Sequence, residues 1–276
     1  MNKLEKLKSI LKKMDSVLIA FSGGVDSAFL LKVASLVLPK NKILAVTASS
    51  ATYPKEELLF SKSLARQLDV RHKVIKTDEL KDKRFIANPL NRCYFCKREL
   101  FKRLKALASK FKLNFVVDAS SLSDRLDFRP GEKAKQELKI RSPLMEAGFT
   151  KQDIRRTSKK LELITWDKPA LACLASRIPY GVKISSLLLG RIHRAEKQLK
   201  KIGFRQVRVR HYNGLCRIEV AKNEIPYLFS KRKQVVEKFK KLGYNYVTVD
   251  LEGYRTGSMN PALPYKFYSN ISGRAG

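Results

Sequence analysis

The chain has 276 residues, of which 44% are hydrophobic and 30% are charged. This mixture is typical of a globular protein with a buried core, and it contains no apolar run of about 18 residues that would span a membrane. Lysine and arginine outnumber the acidic residues by 58 to 25, which gives a formal charge of +33. Such an excess attracts polyanions, so RNA is a candidate partner. Because the lysines are spread along the whole chain, a lysine-coated surface explains the charge at least as well.

The first segment, residues 1–14, is basic and amphipathic, with Leu4, Leu7, Ile10 and Leu11 at helical spacing. It lacks the apolar core and the small-residue cleavage site of a signal peptide. We therefore predict a first helix of the fold and a cytoplasmic protein. In that compartment, four scattered cysteines are expected to be ligands or catalysts rather than a disulfide framework.

The first half of the chain alternates short apolar runs with segments of helical spacing. The apolar runs predict parallel strands at residues 16–21, 42–49, 71–77 and 114–120. The helical spacing predicts helices at residues 26–38, 55–68 and 96–111, the second of them opened by Pro54. This order predicts an α/β fold with a doubly wound parallel sheet, which binds ligands at the carboxyl ends of its strands.

The pattern changes near residue 185. A helix is predicted at 185–203, and two strand segments of alternating apolar and polar residues follow at 206–212 and 215–221. A second helix at 230–243 then leads to a last strand at 244–251. This order indicates a second, smaller α+β domain. We predict a first domain at residues 1–165, a junction at 166–184 that carries Cys173, and a second domain at 185–276.

The segment "FSGGVDS", residues 21–27, joins the first strand to the helix that follows it. Paired glycines let the backbone approach a ligand closely, and backbone N–H groups at a helix start bind phosphate. The hydroxyls of Ser22 and Ser27 can add donors. The loop lacks the lysine of the G-x-x-x-x-G-K-[ST] motif. From these residues alone, an ordinary tight turn is the alternative.

The string "SGGVDS" after an apolar strand resembles the SGGxDS signature of the PP-loop ATPases. The resemblance implies that ATP is cleaved between its α and β phosphates, that pyrophosphate is released and that a carbonyl or carboxylate oxygen is adenylated. It carries over Ser22, Gly23, Gly24, Asp26 and Ser27 as ATP-binding residues. Asp26, a catalytic residue in this reading, is expected near Mg²⁺ and pyrophosphate, since a carboxylate oxygen suits a hard cation.

Five further stretches resemble the LarE family of ATP-dependent sulfurtransferases, which act in nickel-pincer cofactor synthesis. They lie in order along the chain at residues 124–135, 141–147, 168–181, 208–220 and 250–260. The resemblance implies that the substrate is pyridinium-3,5-biscarboxylic acid mononucleotide. ATP adenylates one of its carboxylates, and sulfur then displaces AMP to leave a thiocarboxylate. In this reading residues 1–165 bind ATP and residues 185–276 bind the substrate.

The resemblance assigns a catalytic, sulfur-bearing role to Cys173. A thiolate is suited to attack the mixed anhydride that adenylation produces. Just after it, Ser176 and Arg177 could hold a carboxylate or a phosphate, since arginine offers a bidentate fork. Arg208 and Arg210 alternate on one face of a predicted strand and resemble the family's binders of the substrate phosphate. The alternative is a pair of solvated strand arginines.

Two acidic residues, Glu196 and Glu219, match positions where the family places a metal at a subunit contact. The resemblance thus also implies a homo-oligomer. The alternative is that both carboxylates are surface partners of nearby lysines.

One stretch departs from the family pattern. Ala119, Ser121 and Ser123 stand where the family usually carries other residues, a glycine among them. The positions that are kept are Asp118, Asp124, Asp127, Arg129 and Gly131. Because alanine does not take positive φ as freely as glycine does, we expect an altered loop near the nucleotide. A related carboxylated substrate is the alternative that this loop leaves open.

The cysteines allow several readings. Cys216 shares a strand face with apolar residues and is expected in the core. Cys93 and Cys96 form a Cys-x-x-Cys pair, and Cys173 is the third remaining thiol. Three thiolates fit a four-ligand zinc site poorly, and a redox pair leaves Cys173 unexplained. They do suit a four-iron four-sulfur cluster with one open iron.

Within the LarE family, the three-cysteine set resembles the cluster-bearing type rather than members that give up the sulfur of a single cysteine. The resemblance therefore implies that Cys93, Cys96 and Cys173 hold a cluster whose open iron presents hydrosulfide. The sequence does not identify the source of that sulfide.

Two other functions are alternatives. A tRNA thiolation enzyme of the same superfamily would account for the positive charge, but the chain has no second Cys-x-x-Cys pair from which to build a zinc-ribbon RNA module. The second alternative is a regulatory protein that binds ATP without hydrolysing it. The retained Asp26 argues against this alternative.

Overall fold

The computed structural model describes residues 2–126 and 130–259. Asp127 and Arg129 of the motif at 124–135 lie outside the described residues, as do residues 260–276 of the predicted second domain.

Regular helices and strands make up most of the described chain. In chain order they are α1 (Lys3–Met14), β1 (Val17–Ala20), α2 (Val25–Val37), β2 (Ile43–Ser49), α3 (Lys55–Gln67), β3 (His72–Lys76), α4 (Lys83–Ile86), α5 (Arg92–Lys110), β4 (Phe115–Val117), α6 (Gly131–Glu137), α7 (Pro143–Glu146), α8 (Lys151–Lys160), α9 (Ser186–Ile202), β5 (Val207–Tyr212), β6 (Leu215–Val220), α10 (Ile225–Ser230), α11 (Arg232–Lys241) and β7 (Tyr246–Val249). No helix in this described part is long and apolar enough to cross a membrane.

The chain divides into two units. Unit 1 consists of Met1–Glu79 and Leu90–Leu171, and unit 2 consists of Leu80–Pro89 and Ala172–Gly276. The segment 80–89 therefore belongs with the second half of the chain, although it lies within the first 165 residues. The residues of the sequence-defined junction, 166–184, are divided between the two units.

Unit 1 contains a parallel sheet with strand order β3-β2-β1-β4. Alternate side chains of β1 enter two different cores. Ile19 packs with Phe29 on one face of the sheet, whereas Leu18 packs with Phe101 and Leu104 of α5 on the other. Because both faces are apolar, helices must cover both, as in other parallel sheets. The predicted doubly wound α/β fold is confirmed.

The strand order places a topological switch point in unit 1. The chain runs from β1 to β2 and β3 on one side, while β4 pairs with the opposite edge of β1. Ligands of such sheets bind in the crevice at the carboxyl ends of the strands where the order reverses. The loop at residues 21–24 follows β1 and Asp118 follows β4, so both lie at this end of the sheet.

Unit 2 contains a three-stranded sheet of order β5-β6-β7, in which β5 and β6 are antiparallel and β6 and β7 are parallel. Its core includes Val209, Cys216, Ile218 and Phe239. The fully buried Cys216 confirms the prediction of a core thiol. The second, smaller α+β region is also confirmed, with one helix, α10, that the periodicity did not predict.

The segment 80–89 is held within unit 2 through Asn88, whose side chain is fully buried. Its Nδ2 group donates to the carbonyls of Pro179 at 2.7 Å and Val182 at 3.0 Å, and its own carbonyl accepts from the Gly181 amide at 2.9 Å. Asn88 also has a φ of +54°, a conformation that asparagine tolerates better than most residues. One residue thus satisfies the backbone of the turn at 179–182.

We expect Asn88→Ala to lower the free energy of unfolding of unit 2. The loss should be about 1–3 kcal/mol for the side-chain hydrogen bonds to the Pro179 and Val182 carbonyls, with roughly 1–2 kcal/mol more for an alanine with positive φ. Urea unfolding followed by circular dichroism measures it. Asn88→Gly keeps the backbone unstrained and should lose only the first part. Asn223→Ala, at an exposed site of the same unit, is the control. Equal stability of Asn88→Gly and wild type would contradict the assigned role.

Candidate active site

The loop between β1 and α2 requires glycine at one position for two reasons. Gly23 has a φ of +63°, a conformation that glycine adopts without strain and most other residues disfavour. A Cβ atom at Gly23 would also lie 3.0 Å from the Cβ of Ser61 on α3. Gly24 then caps α2 with ordinary backbone angles, so the helix starts directly after the turn.

Weak hydrogen bonds fill the inner side of this loop. The Ser22 and Ser27 hydroxyls lie 3.1 Å apart, the Ser22 amide lies 3.3 Å from Ser27 Oγ, and the Gly24 amide lies 3.4 Å from Ser22 Oγ. These contacts are at the long end of the hydrogen-bond range. The first amides of α2 add further donors, since a helix leaves them without acceptors of its own. A phosphate group could replace such weak contacts with stronger, charge-assisted ones.

The position of Asp26 follows from the same turn. It lies in the first turn of α2, one residue after the helix begins. A carboxylate at this place adds an oxygen ligand to a site that otherwise offers donors. The sequence-predicted ATP-binding residues therefore lie together at the end of β1.

The carboxyl end of β4 carries a second polar cluster that sequence reasoning did not identify. Lys135 is 5% exposed, and its ammonium lies 2.9 Å from Glu132, 3.1 Å from Ser120 Oγ and 3.3 Å from Asp118. Asp118 in turn accepts a hydrogen bond from Ser142 Oγ at 2.6 Å. The only sequence signal was that Lys135 stands within the motif at 124–135.

The loop after Asp118 accommodates the residues that depart from the family pattern. Ala119 is not among the residues with positive φ, so alanine fits without strain. Ser121 donates to Asp124 through its amide at 2.8 Å and its hydroxyl at 3.1 Å. Ser123 Oγ accepts from the Lys151 amide at 3.1 Å. Alanine is therefore compatible with the backbone of this loop, and the expected alteration of the loop stays a prediction.

Two cysteines occupy the first turns of α5 in unit 1. Cys93 is exposed and Cys96 is half-buried, and their i, i+3 spacing places them on neighbouring positions of one helix face. Cys173 is also exposed and lies in unit 2, immediately before the short 3-10 helix Leu174–Arg177. Within the described residues, no group of three or more His, Cys, Asp or Glu side chains is gathered as a metal site.

The backbone around Cys173 is held by a buried arginine of unit 2. Arg177 is 1% exposed, and its Nη1 donates to the carbonyls of Ala172 at 2.7 Å and Cys173 at 2.9 Å. The Cys173 carbonyl also accepts from the Ser176 amide at 2.9 Å and the Ser176 hydroxyl at 2.7 Å. The Nε and Nη2 groups of Arg177 donate to the carboxylate of Glu196 on α9, at 2.8 and 3.2 Å. Ser176 and Arg177 thus fix the loop that presents the Cys173 thiol.

The two strand arginines are buried, so the alternative of solvated arginines is wrong. Arg210 forms a bidentate pair with Glu219 at 2.8 and 2.9 Å and donates to Ser258 Oγ at 2.8 Å. Arg208 lies over the Tyr254 ring at 5.0 Å. Burial, reinforced by the nearby charge of Arg177, lowers the pKa of Arg208 to about 10. The guanidinium is still charged at neutral pH, and an incoming anion would relieve that unfavourable environment.

The carboxylates of Glu196 and Glu219 are likewise not surface partners of lysines. Both are buried, and their described partners are arginines, one hydroxyl group and a backbone amide. Burial alone would raise the pKa of Glu219, but hydrogen bonds from Arg210 and Ser258 and the charge of Arg217 lower it below the usual value. Both carboxylates therefore position arginines.

Comparisons with known proteins cover nearly the whole chain. The family model described as NAD synthase matches residues 3–90, which include the loop after β1. A Lactiplantibacillus plantarum protein named pyridinium-3,5-bisthiocarboxylic acid mononucleotide synthase is 36% identical over 93% of both chains. An uncharacterised Synechocystis protein is 42% identical over 95% of this chain and 98% of its own. An uncharacterised Methanocaldococcus jannaschii protein is 30% identical over 93% of this chain and 98% of its own.

We expect Glu196→Gln to loosen the Cys173 loop, because Arg177 loses the charge that holds its guanidinium in place. Hydrogen exchange measured by mass spectrometry should show faster exchange of the amides at 174–178. The control is Arg191→Gln on the same helix, whose side chain contacts the Gly243 carbonyl instead. Exchange at 174–178 that matches wild type in Glu196→Gln would mean that the Arg177–Glu196 pair does not order this loop.

Proposed function

The chain belongs to the LarE family of PP-loop ATPases, and from that membership we propose that it is an ATP-dependent sulfurtransferase. It adenylates a carboxylate of pyridinium-3,5-biscarboxylic acid mononucleotide and converts that carboxylate to a thiocarboxylate. The observation that carries the proposal is the 36% identity to the named synthase over 93% of both chains. The geometry of the loop after β1 supports the ATP half of the reaction.

The residues of unit 1 supply ATP binding and activation. The amides and hydroxyls at Ser22, Gly24 and Ser27 bind the phosphates, while Gly23 permits the turn. Asp26 provides an oxygen ligand of the kind that Mg²⁺ prefers. When bound, Mg²⁺ neutralises the charge that develops on the departing pyrophosphate. The attacking group is the substrate carboxylate, and its attack on the α-phosphorus releases pyrophosphate and leaves an acyl adenylate.

The residues of unit 2 bind the mononucleotide. Four guanidiniums, those of Arg177, Arg208, Arg210 and Arg217, meet three carboxylates among the described residues of this cluster. This concentration of guanidiniums favours an anion, and the substrate carries a phosphate monoester as well as its two carboxylates. Arg208 and Arg210 are proposed to bind the substrate phosphate. Ser176 and Arg177 are proposed to hold the loop of Cys173, which directly precedes them in the chain.

The donor set fits the cluster that the family implies. Cys93, Cys96 and Cys173 all carry thiols, none of them is fully buried, and Cys93 and Cys96 have the i, i+3 spacing of a helical clamp. These three side chains would hold a four-iron four-sulfur cluster. When bound, such a cluster supplies a sulfur carrier that can be recharged from outside the protein. The buried Cys216 takes no part.

The test is a reaction of the protein with ATP, Mg²⁺ and the biscarboxylic acid mononucleotide. We expect AMP and pyrophosphate, and a product in which one oxygen is replaced by sulfur when a sulfur source is present. Asp26→Asn should abolish pyrophosphate release and keep the wild-type circular dichroism spectrum, since it replaces a half-buried carboxylate in the first turn of α2 with a neutral amide of the same shape. Asp69→Asn, in the exposed turn before β3, is the matched control. Full activity of Asp26→Asn would contradict the assignment of this residue, and thiolation of tRNA instead would favour the alternative.

A separate prediction concerns the cysteines. Anaerobic reconstitution should yield about four irons and four sulfides per chain. Cys93→Ala, Cys96→Ala and Cys173→Ala should each lower the iron content and change the visible absorption, because each removes one ligand. Cys216→Ala should keep the iron, although it leaves a small cavity in the core. Bound zinc, or iron that survives loss of all three thiols, would overturn the cluster.

A further inference from the structure

The loop at residues 21–24, which we propose binds ATP, is called the ATP loop below. Three of its successive peptide groups are held by side chains that lie outside the loop. The Phe21 carbonyl accepts from Thr47 Oγ1 at 2.7 Å. The Ser22 carbonyl accepts from Tyr53 Oη at 2.7 Å, and the Gly23 carbonyl accepts from Lys168 Nζ at 3.1 Å. The three donors come from β2, from the loop after β2 and from the segment after α8.

Holding a carbonyl also aims an amide. In a trans peptide the C=O of one residue and the N–H of the next point in opposite directions, and the described residues contain no cis peptide. The bond from Lys168 to the Gly23 carbonyl therefore directs the Gly24 amide away from Lys168. That amide indeed lies toward Ser22 Oγ, on the side of the two hydroxyls. Tyr53 sets the Gly23 amide in the same way.

The surroundings of Lys168 fix its ammonium at this place. Its Nζ lies 2.7 Å from Glu57 and 3.6 Å above the Phe60 ring, and its side chain is 18% exposed. Its backbone is held as well, because Arg155 on α8 donates to the Trp166 carbonyl at 2.9 Å and to the Lys168 carbonyl at 2.8 Å. Lys168 thus bridges α3 and the loop at residues 21–24 from a segment whose backbone is hydrogen-bonded to α8.

The Tyr53 hydroxyl is a donor over the whole physiological pH range. Burial, and then the nearby Glu57 carboxylate, raise the pKa of this phenol. It therefore stays protonated when the Ser22 carbonyl needs a donor. Glu57 acts on both anchors, since it also binds Lys168.

We propose that Lys168 is a positioning residue of the ATP site, which holds the Gly23 carbonyl so that the Gly24 amide faces the phosphates, with Tyr53 doing the same for the Gly23 amide. The inference rests on the proposed function for the identity of the ligand. It assigns a role to the first residue of the stretch 168–181, the same stretch that carries Cys173. The lysine reaches the loop through its backbone carbonyl, so it shapes the site without being a phosphate ligand.

The experiment measures binding of Mg²⁺ with α,β-methylene-ATP by calorimetry, below the unfolding temperature of each variant. Lys168→Met keeps the apolar stem and should weaken binding about tenfold, the factor for one lost charge-assisted hydrogen bond. Tyr53→Phe should weaken it by a smaller factor, since a neutral bond is lost. Lys159→Met is the matched control, a lysine of α8 that lies over Trp166 and should bind as wild type does.

A double variant separates positioning from charge. Lys168→Met leaves Glu57 without its cation, and that carboxylate could itself repel ATP. Lys168→Met combined with Glu57→Gln removes both charges, and positioning predicts that its binding stays weak. Wild-type affinity in Lys168→Met, or restored affinity in the double variant, would overturn the inference alone. Failure of the wild type to bind the analogue would overturn the proposed function, and this inference with it.

Discussion

Strand β1 carries the constraint on which unit 1 depends, since it is paired along both edges and covered on both faces. Val17, Leu18 and Ile19 are fully buried, and none of them could be exposed without losing about 1.5–3 kcal/mol of burial. Strands β2 and β4 are both parallel to β1 and pair with its opposite edges. The loop that follows β1 therefore lies in the crevice where the order of the strands reverses. The glycine turn and the start of α2 are placed there by the sheet. The position of the loop at residues 21–24 is therefore a consequence of how β1 is enclosed.

Unit 2 depends on buried charge instead. The pairs Arg177–Glu196 and Arg210–Glu219 lie where water cannot solvate them, and the cost of removing charges from water usually offsets much of their attraction. Such pairs are a poor source of net stability, so their value is better sought in what they hold in place. Arg177 holds the carbonyls around Cys173, and Glu219 holds Arg210 with its guanidinium plane fixed. Each carboxylate gives a flexible arginine a single orientation.

The sequence was sufficient for the parts of the fold that follow from local periodicity. The strands of unit 1, the turn at Gly23 and the burial of Cys216 were all predicted, because each depends on residues close together in the chain. Contacts between distant segments were not predicted. Nothing near Lys168 indicates that its ammonium meets the Gly23 carbonyl, and nothing near Asn88 indicates that it closes a turn some ninety residues later. The burial of Arg208 and Arg210 was missed for the same reason, since an alternating strand pattern does not show what covers its polar face.

The path of the chain through the two units has a consequence for how the protein is made. The segment 80–89 is synthesised before most of the residues with which it packs, and the ribosome adds about 5–20 residues each second. Asn88 must therefore remain without its partners for several seconds while α5, β4 and α8 emerge and unit 1 closes around β1. During that time the segment lacks the residues of unit 2 with which it packs in the folded protein. When unit 2 folds, the segment 80–89 is already connected at both ends to unit 1. This restraint lowers the loss of conformational entropy when Asn88 meets the turn at 179–182.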